Sequence, residues 1–127
     1  MKPMLLFVLA GCAVAGCYPT AESTEKFPVA AAATVNNVPG FGDCMMDGLN
    51  PMEGWMVNRR DVQQETRSDG IRIDTSVAAG NIQLTRTEMF SDGRVQIRIA
   101  DYLNVALIDR DPEMAVFKNC VSRFGKR

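Results

Sequence analysis

Histidine is absent from the 127 residues. Its absence removes the side chain most often poised for proton transfer near neutral pH, the commonest catalytic zinc ligand, and every Ser or Cys triad built on an imidazole. Aromatic residues make up 7% of the chain, with one tryptophan, and no sign of charge dominates: 14 basic residues stand against 15 acidic ones, a net charge of −1. Duplex binding calls for a basic stripe or a pI above about 9. The pI here is near 5.4, so nucleic acid is not an expected partner. The sequence has no Gly-rich phosphate loop, nucleophile elbow, metalloprotease helix or C-x-x-C pair, so no cofactor and no metal is expected.

What remains is 46% hydrophobic and 23% charged, with 10 glycines, 6 prolines and 4 cysteines, the balance of one small globular domain. The main apolar run lies at the start. Residues 4–15 form twelve apolar or small positions after Lys2. Twelve falls within the roughly 7 to 15 of a signal-peptide core and short of the ~20 that span a bilayer.

Two small-residue boxes end in cysteine, Leu9-Ala10-Gly11-Cys12 and Val14-Ala15-Gly16-Cys17. This opening resembles the signal peptides of bacterial lipoproteins, in which such a cysteine receives the lipid (a diacylglyceryl group and an amide-linked acyl chain such as palmitate). The resemblance covers residues 1–17 alone. The box at Cys12 is nearer the family's wording but leaves a short apolar core, whereas the box at Cys17 has the better length. Cysteine parity also favours Cys17, because discarding Cys12 with the signal leaves Cys44 and Cys120 as an even pair in an oxidising compartment. Lipidation at Cys12 is the alternative. A third reading is plain secretion with cleavage after Ala13-Val14-Ala15, which strands Cys17 as an odd thiol. The resemblance implies anchorage to a membrane through the N-terminal lipid. With Tyr18 rather than Asp after the cysteine, it implies the periplasmic face of the outer membrane.

The expected organisation is a signal peptide over 1–16, a lipidated cysteine and flexible tether over 17–36, and one domain over 37–127. Residues 18–26 are polar and proline-broken, as in a solvated spacer. The alanine-rich stretch 29–35 can form two turns of helix, marginal without packing. From Asn37 onward, Pro39 suits a helix start, and Phe41, Cys44, Met45 and Leu49 recur on one face before Asn50-Pro51 ends the helix. Met45, Met46, Met52 and Met56 read as core filler, or as a soft binding surface.

Two Ser-Asp-Gly motifs, at 68–70 and 91–93, each precede an Ile-Arg-Ile run and read as hairpin turns. With Asp-Gly at the centre of the first, Thr66 pairs with Ile73 and Val62 with Val77. The same turn in the second sets Glu88 against Ile97 and Arg86 against Ile99. That mixes polar and apolar positions, so a β-bulge between 84 and 89 is expected. The outward face then carries Arg72, Asp74, Gln96, Arg98 and Tyr102, a solvated sheet face or a recognition surface. Residues 103–108 can extend a strand.

Asp111 is expected to cap a last helix with Pro112 at its first position. Val116, Phe117, Cys120, Val121 and Phe124 form its apolar stripe, and Gly125 ends it. Asp109, Asp111 and Glu113 alternate like the start of a calcium loop, but Met114 replaces the turn glycine and the twelfth-position acid is missing; charge at a helix start accounts for them. Arg59 and Arg60 follow Trp55, and with Asp61 they read as an exposed strand edge more than as an anionic-ligand patch.

The fold class expected is α+β: a short helix, a four-stranded antiparallel meander, and a C-terminal helix on the same sheet face, stapled by a Cys44–Cys120 disulfide. The expected function is non-enzymatic: an envelope lipoprotein that binds an envelope protein or glycan. Two alternatives stand beside it, a periplasmic hydrolase using carboxylates or serine and an immunity-type lipoprotein that neutralises a toxin. A carboxylate catalyst would be sought among Asp43, Asp47, Asp61, Asp74 and Asp101, which turns and caps do not account for.

Overall fold

The computed structural model describes residues 26–50, 60–77, 82–101 and 110–126. Cys12, Cys17, Met52, Trp55, Met56, Arg59, Tyr102 and Asp109, named above for anchoring, binding or core roles, lie outside them, as do residues 103–108. In chain order the elements are β1 (Val29–Thr34), α1 (Val38–Leu49), β2 (Asp61–Arg67), β3 (Gly70–Val77), β4 (Ile82–Phe90), β5 (Arg94–Ile99) and α2 (Asp111–Phe124). The strands form one antiparallel sheet in the order β1-β5-β4-β3-β2.

The α+β class holds, with five strands rather than four. The fifth is β1, from the alanine-rich stretch expected as tether or helical turns. Alanine's helix preference is a weak prior over so few residues. Pairing with β5 fixes the stretch as a strand, and Ala31 and Ala33 pack against the core on alternate positions. Phe27 is buried as well, so the folded unit reaches back past the boundary expected at 37.

α1 starts where Asn37 Oδ1 accepts from the Gly40 N–H at 3.0 Å, with Pro39 in its first turn. Its inward stripe is Phe41, Cys44, Met45 and Leu49, as the spacing predicts, and Met45 belongs to the core. α2 departs from expectation at its start. Arg110 occupies the cap without a side-chain bond, and Asp111 is already helical, where its charge still complements the helix dipole.

Both hairpins turn differently from the expectation. The first loop is Ser68-Asp69, with Arg67 opposite Gly70, so Thr66 faces Ile71 and Val62 faces Thr75. That slip of two residues leaves every side chain on its expected face, because the strand period is two. The second loop has three residues, 91–93, with Gly93 at φ +97° closing it and Asp92 accepting from the Arg94 N–H at 3.1 Å. The extra turn residue moves Thr87 opposite Ile97 and Arg86 opposite Arg98, which sorts polar from apolar without a bulge in that pair. A bulge does occur, between β3 and β4: Thr75 faces Thr85 while Ser76 faces Gln83, leaving Leu84 as the extra residue. Leu84 is buried with Phe27, Val77 and Ala100 at one end of the sheet.

The main core lies between the helices and one sheet face, with Ile73, Met89, Val95 and Ile97 against Phe41, Met45, Leu49 and Phe117. Phe41 and Phe117 meet edge to face at 5.7 Å between ring centres. A Cβ at Gly48 would stand 2.5 Å from Val116, so glycine lets the helices approach. Cys44 and Cys120 form the expected disulfide, with 5.8 Å between their Cα atoms and 76 residues of separation. On the loop-entropy model such a bridge contributes roughly 4 to 5 kcal/mol, comparable to the lower range of small-domain stability. Reduction, or replacement of both cysteines by alanine, should therefore lower the unfolding free energy by roughly 2 to 5 kcal/mol in urea denaturation. An unchanged midpoint would remove the bridge from the account of stability.

Candidate functional site

Odd-numbered residues of β3, of β5 and of β4 after its bulge (85–89) face the helices, so the even-numbered ones of those stretches share the opposite face. Register aligns Glu65, Arg72, Glu88 and Gln96 in one row, and Gln63, Asp74, Arg86 and Arg98 in the next. Four of the five residues expected on the outward face, Arg72, Asp74, Gln96 and Arg98, are thus brought together. Arg86 and Glu88 join them because the three-residue turn shifts β4 by one position.

Three arginines and three carboxylates interlock across these rows. Asp74 accepts a two-pronged bond from Arg86, Nε to Oδ1 at 2.9 Å and Nη2 to Oδ2 at 3.1 Å. Glu88 Oε1 accepts from Arg98 Nε at 2.5 Å and Gln96 Nε2 at 3.0 Å, and Arg98 also donates to the Phe27 carbonyl at 2.9 Å. Arg72 bonds Glu65, while its buried Nε stands 3.9 Å from Asp74 Oδ2, beyond hydrogen-bond reach. Arg86 and Arg98 sit directly opposite, a like-charge pairing that costs energy unless each has its own counter-ion. Asp74 and Glu88 supply them. Burial pushes the Glu88 carboxyl up, but the bonds from Gln96 and Arg98 and the charges of Arg98 and Arg86 outweigh it and hold the group below its ordinary value.

Two grooves lie beside this ladder. One, of about 340 Å³, is lined by Arg67, Arg72, Arg86 and Arg98 with Asp69, Glu88 and Phe90. The other, of about 420 Å³, carries Gln63, Gln64, Gln83 and Ser76 along β2 and its neighbours. Arg67 is exposed at the first groove and Arg72 and Arg98 are partly so, whereas Arg86 is buried in its pair with Asp74; guanidinium forks match carboxylate and phosphate groups.

A second polar cluster is sealed under the helices. Arg60 Nε donates to Glu113 Oε1 at 3.0 Å, with side chains 4% and 0% exposed. Thr75 Oγ1 reaches Glu113 Oε2 at 3.5 Å and lies 2.6 Å from Thr85 Oγ1. One expectation falls here, since Arg60 is not on an exposed strand edge, and another changes in character: Glu113 stands in the first turn of α2 as expected but is buried there rather than solvated. The reason is helical spacing, since Glu113 lies four residues before Phe117 and seven before Cys120 and so belongs to their inward stripe. That spacing was a legible signal for Glu113; nothing comparable pointed to Arg60.

Among the acids left unassigned by sequence, Asp74 is bound to Arg86, and Asp43, Asp47 and Asp101 are exposed. Among the described residues no three His, Cys, Asp or Glu side chains form a metal-binding group. No family model, curated protein or solved structure matches this chain.

Burial raises the Glu113 carboxyl above 4.5, and the charge and hydrogen bond of Arg60, a backbone bond and the Thr75 hydroxyl offset this only in part. The folded protein then holds this proton more tightly than the unfolded chain does. Stability from Glu113 is complete below 4.5 and declines as pH rises through the raised folded value. In Glu113→Gln that decline should vanish from urea midpoints measured between acid and neutral pH. Glu113→Leu should cost about 3 to 5 kcal/mol at neutral pH by taking the Glu113 counter-ion from the buried Arg60, and adding Arg60→Met should recover most of it. No recovery in the double variant would assign the loss to packing.

Proposed function

We propose that this protein is a lipid-anchored component of the bacterial envelope that acts by binding, through the sheet face opposite its helices, a polar envelope protein or glycan. The observation that carries the reading is the cross-strand ladder of Arg72, Asp74, Arg86, Glu88, Gln96 and Arg98. Its guanidinium donors are held at fixed positions by carboxylates on neighbouring strands, so little side-chain freedom is lost when a partner docks. The groove beside them suits a carboxylate- or phosphate-bearing group on that partner. Support for the anchor comes from the apolar run ending at Val14-Ala15-Gly16-Cys17, with Cys12 as the alternative attachment point. The cysteine pairing agrees with it, because with Cys12 discarded in the signal and Cys44 bridged to Cys120 the odd cysteine is Cys17. Outer-membrane placement rests on Tyr18.

A binding role is favoured over hydrolysis because, among the described residues, the one carboxyl raised by burial, Glu113, is fully enclosed and engaged by Arg60. A substrate cannot reach it. The ladder acids are occupied by hydrogen bonds from arginines.

Two measurements test the reading. Mass spectrometry of the mature N-terminus should find a lipid-modified Cys17; an acyl chain on Cys12 would move the site, and an unmodified Gly16 start would overturn anchorage. Pull-down of the tagged protein from detergent-solubilised envelopes should recover a partner that is lost with Arg72→Glu and Arg98→Glu. Retention by both variants would exclude this face, and turnover of a peptidoglycan or lipid fragment that is abolished by Asp74→Asn in a folded protein would replace binding with catalysis.

A further inference from the structure

Among the described residues β2 is the last strand of the sheet, and residues 63–67 within it are exposed. Its outer edge has a definite phase. In a two-residue hairpin the residues flanking the turn form a hydrogen-bonded pair, so Arg67, and with it Glu65, Gln63 and Asp61, directs its main-chain groups toward β3. The Ser91 N–H donates to the Asp69 carbonyl at 2.9 Å, which fixes the same alternation from the β4 side. Val62, Gln64 and Thr66 therefore turn their N–H and C=O groups outward, away from the sheet.

The sequence of this strand, Asp-Val-Gln-Gln-Glu-Thr-Arg, is complementary to itself when reversed. Placed antiparallel to a second copy about a two-fold axis at Gln64, Asp61 falls opposite Arg67, Gln63 opposite Glu65, and Val62 opposite Thr66. Each copy then donates and accepts main-chain bonds at Val62, Gln64 and Thr66. The Asp61/Arg67 and Gln63/Glu65 pairs fall at the non-hydrogen-bonded positions, where side chains come closest. The sheet already contains one such amide–carboxylate pair between neighbouring strands, Gln96 to Glu88 at 3.0 Å.

We propose that two copies of this chain associate edge to edge through β2, joining their sheets into one ten-stranded sheet about a two-fold axis at Gln64. The occupant argued for is a second copy rather than an unrelated strand, because the charges match in this one register: opposite signs meet at both ends, and the symmetry doubles each contact. A shift of two residues would place Asp61 against Glu65 and lose the match. Joined this way, the two ladder faces lie side by side.

The test uses the full chain in detergent, with oligomeric state read by native mass spectrometry or sedimentation velocity over a concentration series. Wild type should be a dimer. Asp61→Arg or Arg67→Asp alone should weaken association about tenfold by setting like charges opposite at both ends, and the double exchange Asp61→Arg with Arg67→Asp should restore it. Gln64→Pro removes one outward N–H at an edge position where proline is tolerated, and it should give a monomer with unchanged circular dichroism. A wild-type monomer at every concentration up to about 1 mM would overturn the proposal. So would a dimer indifferent to the charge exchanges or persisting in folded Gln64→Pro.

Discussion

Cys44 and Cys120 hold α1 and α2 side by side over one face of the sheet, and that asymmetry decides which half of each strand is buried. Once both helices lie on the same side, the odd-numbered positions of β3, of β5 and of β4 after its bulge (85–89) enclose the core and the even-numbered ones of those stretches face away from it. Gly48 permits the approach by leaving room for Val116, and the T-shaped contact of Phe41 with Phe117 fills the space between helices and sheet. A domain of this size buries only a modest fraction of its surface, so a covalent link between elements far apart in sequence carries weight that a larger core would otherwise supply.

The two faces then solve the problem of charge in opposite ways. Under the helices, Arg60 and Glu113 are almost fully withdrawn from water, and desolvation outweighs their attraction strongly enough to raise the Glu113 carboxyl. Such a pair contributes little net stability but is costly to break, which fixes how the start of α2 meets the chain entering β2. On the far face, ions share partners across strands, and all but the buried Arg86 keep partial contact with solvent. Each contact there is worth roughly 0.2 to 1 kcal/mol. The ladder's effect is geometric, since the strands space the arginines at intervals set by the sheet and the carboxylates hold their orientation.

Much of this was legible because it depends on period alone. The inward stripes of α1 and α2, the pairing of their cysteines, and the grouping of Arg72, Asp74, Gln96 and Arg98 follow from spacings of 3.6 and 2 that no local error disturbs. Turn length was less legible. Ser-Asp-Gly occurs twice, yet it closes a two-residue loop before β3 and a three-residue loop before β5, because the pairing demands of the flanking strands select the loop. That single residue transferred Arg86 and Glu88 to the ladder. β1 escaped because its alanines state no preference strong enough to oppose either helix or strand, and only β5 decides the matter. Arg60 escaped because its counter-ion lies 53 residues away.

The strand order also sets the two sheet edges apart in character. At β1 the chain following α2 closes part of the edge: the Lys126 N–H donates to the Thr34 carbonyl at 2.8 Å and the Asn36 N–H to the Phe124 carbonyl at 3.0 Å. At β2 the described edge meets no strand on its outer side, and its charged and amide side chains keep it soluble while leaving its main-chain groups available. Four strand spacings, roughly 19 Å, separate the edges. Because the described chain enters the fold next to β1, the open β2 edge lies on the far side of the sheet from that entry.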